Sequence, residues 1–224
     1  MFRTYQLVPQ SDALEILGRI RDLEWKQGKA RTEKATGTIK RNLELKANDD
    51  SLAKDFLTRL QHKIATHPQI ARDTLLRRTM CPKFNRYTPE SPEYRRHGDA
   101  ASMGGTVRTD MSCTVFLTPP DDYEGGVLCV EDTFGGYVEV KGDPGMCVIY
   151  TGGCPHWVTP VTKGERISAV TWIQSHVQDD HQRNLLSSFG NCLTEIEETR
   201  EEWPEVYTTL GIINGNLLRM WMDP

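Results

Sequence analysis

The feature that most constrains this chain is the stretch from Cys81 to about Ser175, where short β-type runs alternate with tight-turn sequences. The runs are KFNRY, SCTVFLT, GVLCVED, GYVEV, GMCVIY and ERISAVTWIQS; the turns include TPPDDYEGG, KGDPG and TGGCP. Short strands at close, regular spacing, bounded by Gly, Pro and Asp, predict an all-β sandwich or barrel.

The flanks carry a helical period. In SDALEILGRIRDLEWKQG, Leu14, Leu17, Ile20 and Leu23 recur at helical spacing behind Ser11, a candidate N-cap. In DDSLAKDFLTRLQHKIATHP, Leu52, Phe56, Leu60 and Ile64 share one face, and Pro68 ends the helix. The polar GKARTEKATGTIKRN between them reads as an exposed loop or weak strand. Beyond Val177 the chain is helical again. Pro204 begins or breaks a helix there, and Leu210, Ile213, Leu217, Met220 and Trp221 form an apolar stripe suited to core packing or a subunit contact. The expected class is therefore mainly β with flanking helices. Residues 1–80 form an N-terminal helical or extended segment packing on the core, 81–176 the β core, and 177–224 a C-terminal helical extension.

A formal net charge of -4 and a pI near 5.9 give no basic excess, so nucleic acid is not an expected partner. Arg77 with Arg78 and Arg95 with Arg96 read as solvated surface. MFRTYQLVPQSDALEIL lacks a signal-peptide core, and no apolar run is long enough for a bilayer, so a cytoplasmic chain without membrane partners is expected. The six cysteines are scattered without a CxxC pair, and three lie in strand-like runs where a free thiol acts as a small hydrophobe.

Two histidines fall in the β zone. His97 precedes Asp99 by two residues in YRRHGDAA, and extended residues i and i+2 share a face. His156 follows the apolar run MCVIY. Two His and one carboxylate with open positions make the facial triad of non-haem Fe(II) oxygenases, although H-x-D alone is a common spacing. Ten residues after His156, Arg166 opens a strand that puts Arg166, Ser168, Val170 and Trp172 on one face and Ile167, Ala169, Thr171 and Ile173 on the other. If the Arg166 face points into a barrel, its guanidinium needs an anion, and Arg suits bidentate capture of a carboxylate. The plain alternative is an exposed strand-end Arg paired with Glu165 or another acid.

The ordered set Tyr87, His97-Gly98-Asp99, His156 and Arg166-Ile167-Ser168 resembles the 2-oxoglutarate/Fe(II) dioxygenase superfamily in its prolyl-4-hydroxylase-like branch, and within it the bacterial PKHD-type hydroxylases. FNRY, VRTDMSCTVFL, EGGVLCVEDTFG, HWVTPVTKGERIS and TWIQS support it, over roughly Lys83 to Asp180. The resemblance implies a double-stranded β-helix (jelly-roll) core and Fe(II) on His97, Asp99 and His156. It implies 2-oxoglutarate on Arg166, helped by Tyr87 and Ser168, with Leu128 packing against it and Trp172 lining the pocket. It further implies O2 as co-substrate, ascorbate as a candidate cofactor, and hydroxylation of an unactivated C–H bond coupled to decarboxylation of 2-oxoglutarate to succinate. The prime substrate is left open between a peptidyl-prolyl or other protein residue and a small molecule. Gly98 departs from the bulkier residue usual between His and Asp, and with Gly104 and Gly105 reads as a mobile lid beside the metal. Two other readings use the same residues: a cupin-like or zinc enzyme, and a non-catalytic sensor or lectin-like jelly roll. The C-terminal helices are a candidate homodimer contact.

Overall fold

The alternating segments become strands of two facing antiparallel sheets. The computed structural model describes residues 1–28, 39–45, 50–132 and 134–223. In chain order the strands are β1 (Phe2–Gln6), β2 (Trp25–Gln27), β3 (Lys40–Arg41), β4 (Leu43–Leu45), β5 (Leu76–Thr79), β6 (Lys83–Tyr87), β7 (Glu93–His97), β8 (Ser102–Met103), β9 (Val107–Arg108), β10 (Met111–Phe116), β11 (Tyr123–Glu124), β12 (Leu128–Glu131), β13 (Tyr137–Val140), β14 (Met146–Thr151), β15 (His156–Val158), β16 (Lys163–Gly164) and β17 (Arg166–Ser175). The helices are α1 (Gln10–Ile20), α2 (Ser51–Thr66), α3 (Pro68–Thr74), α4 (Asp180–Glu195) and α5 (Pro204–Trp221).

The large sheet runs β1-β14-β10-β17-β6-β4-β2, with β5 also on β17; the small sheet runs β13-β12-β15-β7-β3. The large sheet separates two apolar cores, which is why β10 is buried at every position. Alternation decides which core each side chain enters. Met111, Cys113 and Val115 of β10, Cys147 and Ile149 of β14, and Ile167, Ala169 and Ile173 of β17 meet the helices. Phe116, Val148 and Tyr150 point the other way, toward Leu128, Val130 and Val158 of the small sheet. Each fully buried aliphatic or aromatic side chain contributes about 1.5–3 kcal/mol. Phe56 of α2 and Phe84 of β6 stack at 6.3 Å across the helix–sheet seam.

The helices differ from the sequence reading in their details. Helix α1 begins at Gln10 behind Pro9, without a side-chain cap from Ser11, because Pro9 already holds the pre-helical backbone (φ -54°, ψ 146°). Its inward face is Ala13, Ile16, Leu17 and Ile20, while Leu14 is exposed. In α2, Ala53, Phe56, Leu57, Leu60 and Ile64 are buried, while Leu52 in the first turn is exposed. Asp50 caps α2 by accepting from the Ala53 N–H at 2.9 Å. Helix α2 stops at Thr66, and Pro68 opens α3.

The N-terminal segment supplies strands as well as helices: β1 pairs with β14, and β2 and β4 extend the large sheet from β6. Of the loop or weak strand expected over 28–42, positions 29–38 lie outside the described residues, and Lys40–Arg41 form β3 on β7. Pro204 opens α5, which packs along α4 and has no fully buried residue. Its end is tied down: the Arg108 guanidinium meets Asp223 at 2.6 Å, and the Asp223 N–H donates to the His176 carbonyl at 2.8 Å. All six cysteines are free, with Cys113, Cys129 and Cys147 buried. Among the described residues no helix is long and apolar enough to cross a membrane.

Candidate active site

His156 opens β15 and His97 closes β7, and the two face each other directly in the antiparallel pair. Opposed residues of such a pair bring their side chains into contact; here the imidazole centroids are 4.3 Å apart. The register shifts between His156 and Val158, so Tyr94 and His97 oppose Val158 and His156. This bulge re-aims the strand, and Tyr94 and His97 turn to the same side despite their odd spacing. Their rings stack at 3.5 Å. Asp99 lies past the end of β7 in irregular backbone, so its convergence with His97 comes from the chain's turn after Gly98 and not from a continuing strand. One ligand atom from each of His97, Asp99 and His156 lies within 4.8 Å of the others.

Each imidazole is oriented by the carbonyl two residues before it: His97 Nδ1 lies 2.8 Å from the Arg95 oxygen and His156 Nδ1 3.0 Å from the Cys154 oxygen. With Nδ1–H donating, both Nε2 lone pairs are left to face the same point. Burial, and then the neighbouring His156, push the His97 pKa down to about 4, which keeps that ring neutral at physiological pH. The Asp99 carboxylate accepts a hydrogen bond from the Ser112 hydroxyl and stands 3.8 Å from His156 Nε2. Burial holds the Tyr150 phenol, 5.0 Å from the His156 ring, well above its ordinary pKa.

Arg166 opens β17 opposite Tyr87 on β6. It is 2% exposed, and Nη1 donates to Ser168 Oγ at 3.1 Å. Its Cζ lies 5.2 Å from the Tyr87 ring centroid and 5.6 Å from that of Phe116. Among the described residues no carboxylate pairs with it, and its Nε has no hydrogen-bond partner. Glu165, the acid beside it in sequence, is engaged elsewhere, with Arg21 and Arg86 at 2.6 and 2.7 Å. Tyr123 stands at the same place with a buried, unpartnered hydroxyl; burial raises its pKa and the Arg166 charge offsets part of the rise. Burial lifts the Tyr87 phenol to about 12. Gly125 and Gly126, at φ 72° and 61°, make the turn that lets this corner close: a Cβ on Gly126 would lie 3.1 Å from Arg166 Cδ and 2.9 Å from Tyr123 Cε2.

The triad and Arg166 line one cavity of about 190 Å³. Leu128 and Trp172 also line it, as does the short β8–β9 hairpin through Ser102 and Met103, with Gly104 and Gly105 at its turn. Ser168 is fully buried behind Arg166. The sequence reading did not single out four residues at this site: Ser112 on Asp99, Tyr123 beside Arg166, and Lys40 and Lys83 on the cavity wall. Ser112 and Thr114 alternate with apolar residues in SCTVFLT, a signal for a polar inner face, whereas nothing in GKARTEKATGTIKRN marks Lys40.

Residues 82–174 match the family model of the 2OG-Fe(II) oxygenase superfamily. A PKHD-type hydroxylase of Verminephrobacter eiseniae is 35% identical over 209 residues, covering 91% of each chain. The chain belongs to the PKHD-type hydroxylases. Solved structures of more distant proteins share the fold. A Pseudomonas putida prolyl-4-hydroxylase superposes with a TM-score of 0.56 at 20% identity, over 77% of this chain and 92% of that one. A Trichoplax adhaerens prolyl hydroxylase, solved with a hypoxia inducible factor peptide fragment, gives 0.59 at 14% identity, over 83% and 86%.

Membership makes this PKHD-type chain a hydroxylase of a superfamily that uses Fe(II), 2-oxoglutarate and O2. Its residues fit those groups. Two imidazoles and a carboxylate converge with room beside them, which suits a divalent metal with open positions. A buried guanidinium without an acid faces the same cavity, which suits a dicarboxylate.

Proposed function

We propose that this protein is an Fe(II)/2-oxoglutarate-dependent dioxygenase whose metal is held by His97, Asp99 and His156 and whose co-substrate is anchored by Arg166. The two facing sheets are read as the double-stranded β-helix of the superfamily. When bound, Fe(II) with 2-oxoglutarate and O2 supplies the oxidative chemistry, in which 2-oxoglutarate gives succinate and CO2 while one substrate C–H becomes C–OH. The substrate is read as a peptidyl-prolyl residue or a small molecule.

The observation that carries this reading is the buried Arg166, without an acidic partner, on the cavity that also holds the triad. A guanidinium removed from water needs an anion, and the distal carboxylate of 2-oxoglutarate matches its fork. Ser168 fixes the guanidinium from behind at 3.1 Å. Tyr87 and Tyr123 stay protonated, so each phenol is a donor beside the same carboxylate. Leu128 and Val158 give the cavity an apolar wall that excludes water from the co-substrate's carbon chain. Ser112 holds the Asp99 carboxylate in one orientation.

The test is succinate release from 2-oxoglutarate by protein supplied with Fe(II) under air, across a library of peptides and metabolites. Succinate should form stoichiometrically with hydroxylated product, and Asp99→Ala and His156→Ala should abolish it. Undiminished succinate production by Asp99→Ala would sink the ligand assignment; binding of 2-oxoglutarate without consumption would leave a sensor.

A further inference from the structure

Two lysines reach the cavity wall from different parts of the chain, Lys40 from β3 and Lys83 from β6. Lys40 is 9% exposed. Both ammonium groups bond to the same Glu44 oxygen, Lys83 at 3.0 Å. Lys40 Nζ lies 5.3 Å over the Tyr94 ring, and that ring stacks on His97. Lys83 Nζ lies 5.4 Å over Trp172. The pair therefore stands one aromatic ring away from the triad, flanked by two rings that also line the cavity.

The charges do not cancel. Two ammonium groups share one carboxylate, so one positive charge is left over. Among the described residues Asp99 is the one acid that lines the cavity, and it bonds to Ser112 and stands in the triad. In the loaded site of the proposed dioxygenase, the charges of Fe(II) and Arg166 are balanced by Asp99 and the two carboxylates of 2-oxoglutarate. The lysine excess therefore remains when the cofactors are in place. Two ammonium groups that share one carboxylate repel each other, and an incoming anion relieves that repulsion. One excess charge matches a monoanion. Lysines present point charges without a planar fork, and Trp172 on the same wall offers apolar surface to the group beside the anion.

We propose that the prime substrate carries a carboxylate that docks against Lys40 and Lys83, with its adjoining body along Trp172. This rests on the dioxygenase reading and assigns that site's substrate class. The test uses protein loaded with Mn(II) and 2-oxoglutarate, in which turnover is avoided and binding alone is read. Binding of 2-oxoglutarate to the Mn(II)-loaded wild type is measured first, and its failure would count against the dioxygenase reading and not against the lysines. Matched acid and amide pairs are then titrated by isothermal titration calorimetry: N-acetyl-L-proline against N-acetyl-L-prolinamide, and the leucine and phenylalanine equivalents. The acid of at least one pair should bind about tenfold more tightly than its amide. Lys83→Gln, at a side chain 39% exposed and so tolerant of substitution, should bring that ratio close to one, and Lys83→Arg should keep most of it. Lys40→Gln should act in the same direction, with 2-oxoglutarate affinity unchanged in all three variants. Lack of acid preference in every pair, or a preference that survives both Gln variants, overturns the proposal.

Discussion

Ser112 on β10 donates a hydrogen bond to the Asp99 carboxylate across the gap between the two sheets. Asp99 has no strand to hold it, so this hydroxyl is what aims the carboxylate at the two imidazoles. Ser112→Ala should leave the fold intact and weaken Fe(II) binding by about 10–100-fold, the usual cost of losing a partner behind a metal ligand. Metal titration followed by thermal melting checks this. The stabilisation by Mn(II) seen for the wild type should need correspondingly more metal in the variant.

Arg166 makes no ion pair among the described residues, so its charge should matter for the co-substrate more than for folding. Arg166→Ala should raise the KM for 2-oxoglutarate by about 100-fold or more, which corresponds to roughly 3 kcal/mol. Arg166→Lys should recover little, because an ammonium cannot reproduce the bidentate fork. Steady-state kinetics over a 2-oxoglutarate range separates these from a loss in kcat.

Among the described residues the buried Tyr123 hydroxyl has no hydrogen-bond partner. Removing an unpaired polar atom costs the fold nothing and can stabilise it. Tyr123→Phe should therefore keep or raise the melting temperature while raising the KM for 2-oxoglutarate several-fold. A parallel fall in both melting temperature and affinity would mean the phenol is structural.

The two glycines of the EGG turn should respond differently. A Cβ on Gly126 meets side-chain atoms of Tyr123, Val161 and Arg166, so Gly126→Ala should displace the anchor and raise the KM for 2-oxoglutarate at a stability cost of about 1–2 kcal/mol. A Cβ on Gly125 would sit 1.9 Å from the Pro160 carbonyl oxygen, which cannot swing away. Gly125→Ala should destabilise by more than about 3 kcal/mol. Urea titrations of the two variants measure the difference.

Asp73 is 2% exposed and joins β1, α3 and α4. Burial pushes its pKa up, but hydrogen bonds from Tyr5, Asn191, Gln69 and Ser187 outweigh this and hold it below its ordinary 3.8. A carboxyl depressed in the folded state adds stability that is fully present above its unfolded pKa and is lost as pH falls through the folded value. Melting temperature should therefore drop below about pH 4. Asp73→Asn should be destabilised at neutral pH and show a shallower acid limb. An unchanged acid limb would exclude Asp73 as a contributor.

The local patterns in the sequence were sufficient for the strand-and-turn alternation and for the flanking helices, while the ordered set His97, Asp99, His156 and Arg166 was marked by resemblance to a family. Period-two alternation and residue spacing are properties of neighbouring positions, so they can be read without knowing what packs on them. Period also marks a face as apolar without fixing which way the helix turns onto the sheet, and so Leu14 and Leu52 fell outside the core. The rest was decided by contacts between distant segments. Pairing of β1 with β14, the bulge that turns Tyr94 and His97 to one side, and the reach of Lys40 into the cavity depend on strands far apart in the chain. Arg166 shows the division most clearly. Which residues share its strand face was legible, but that this face turns inward and lacks an acid was not, because Glu165 next to it turns to Arg21 and Arg86 only once β17 has packed.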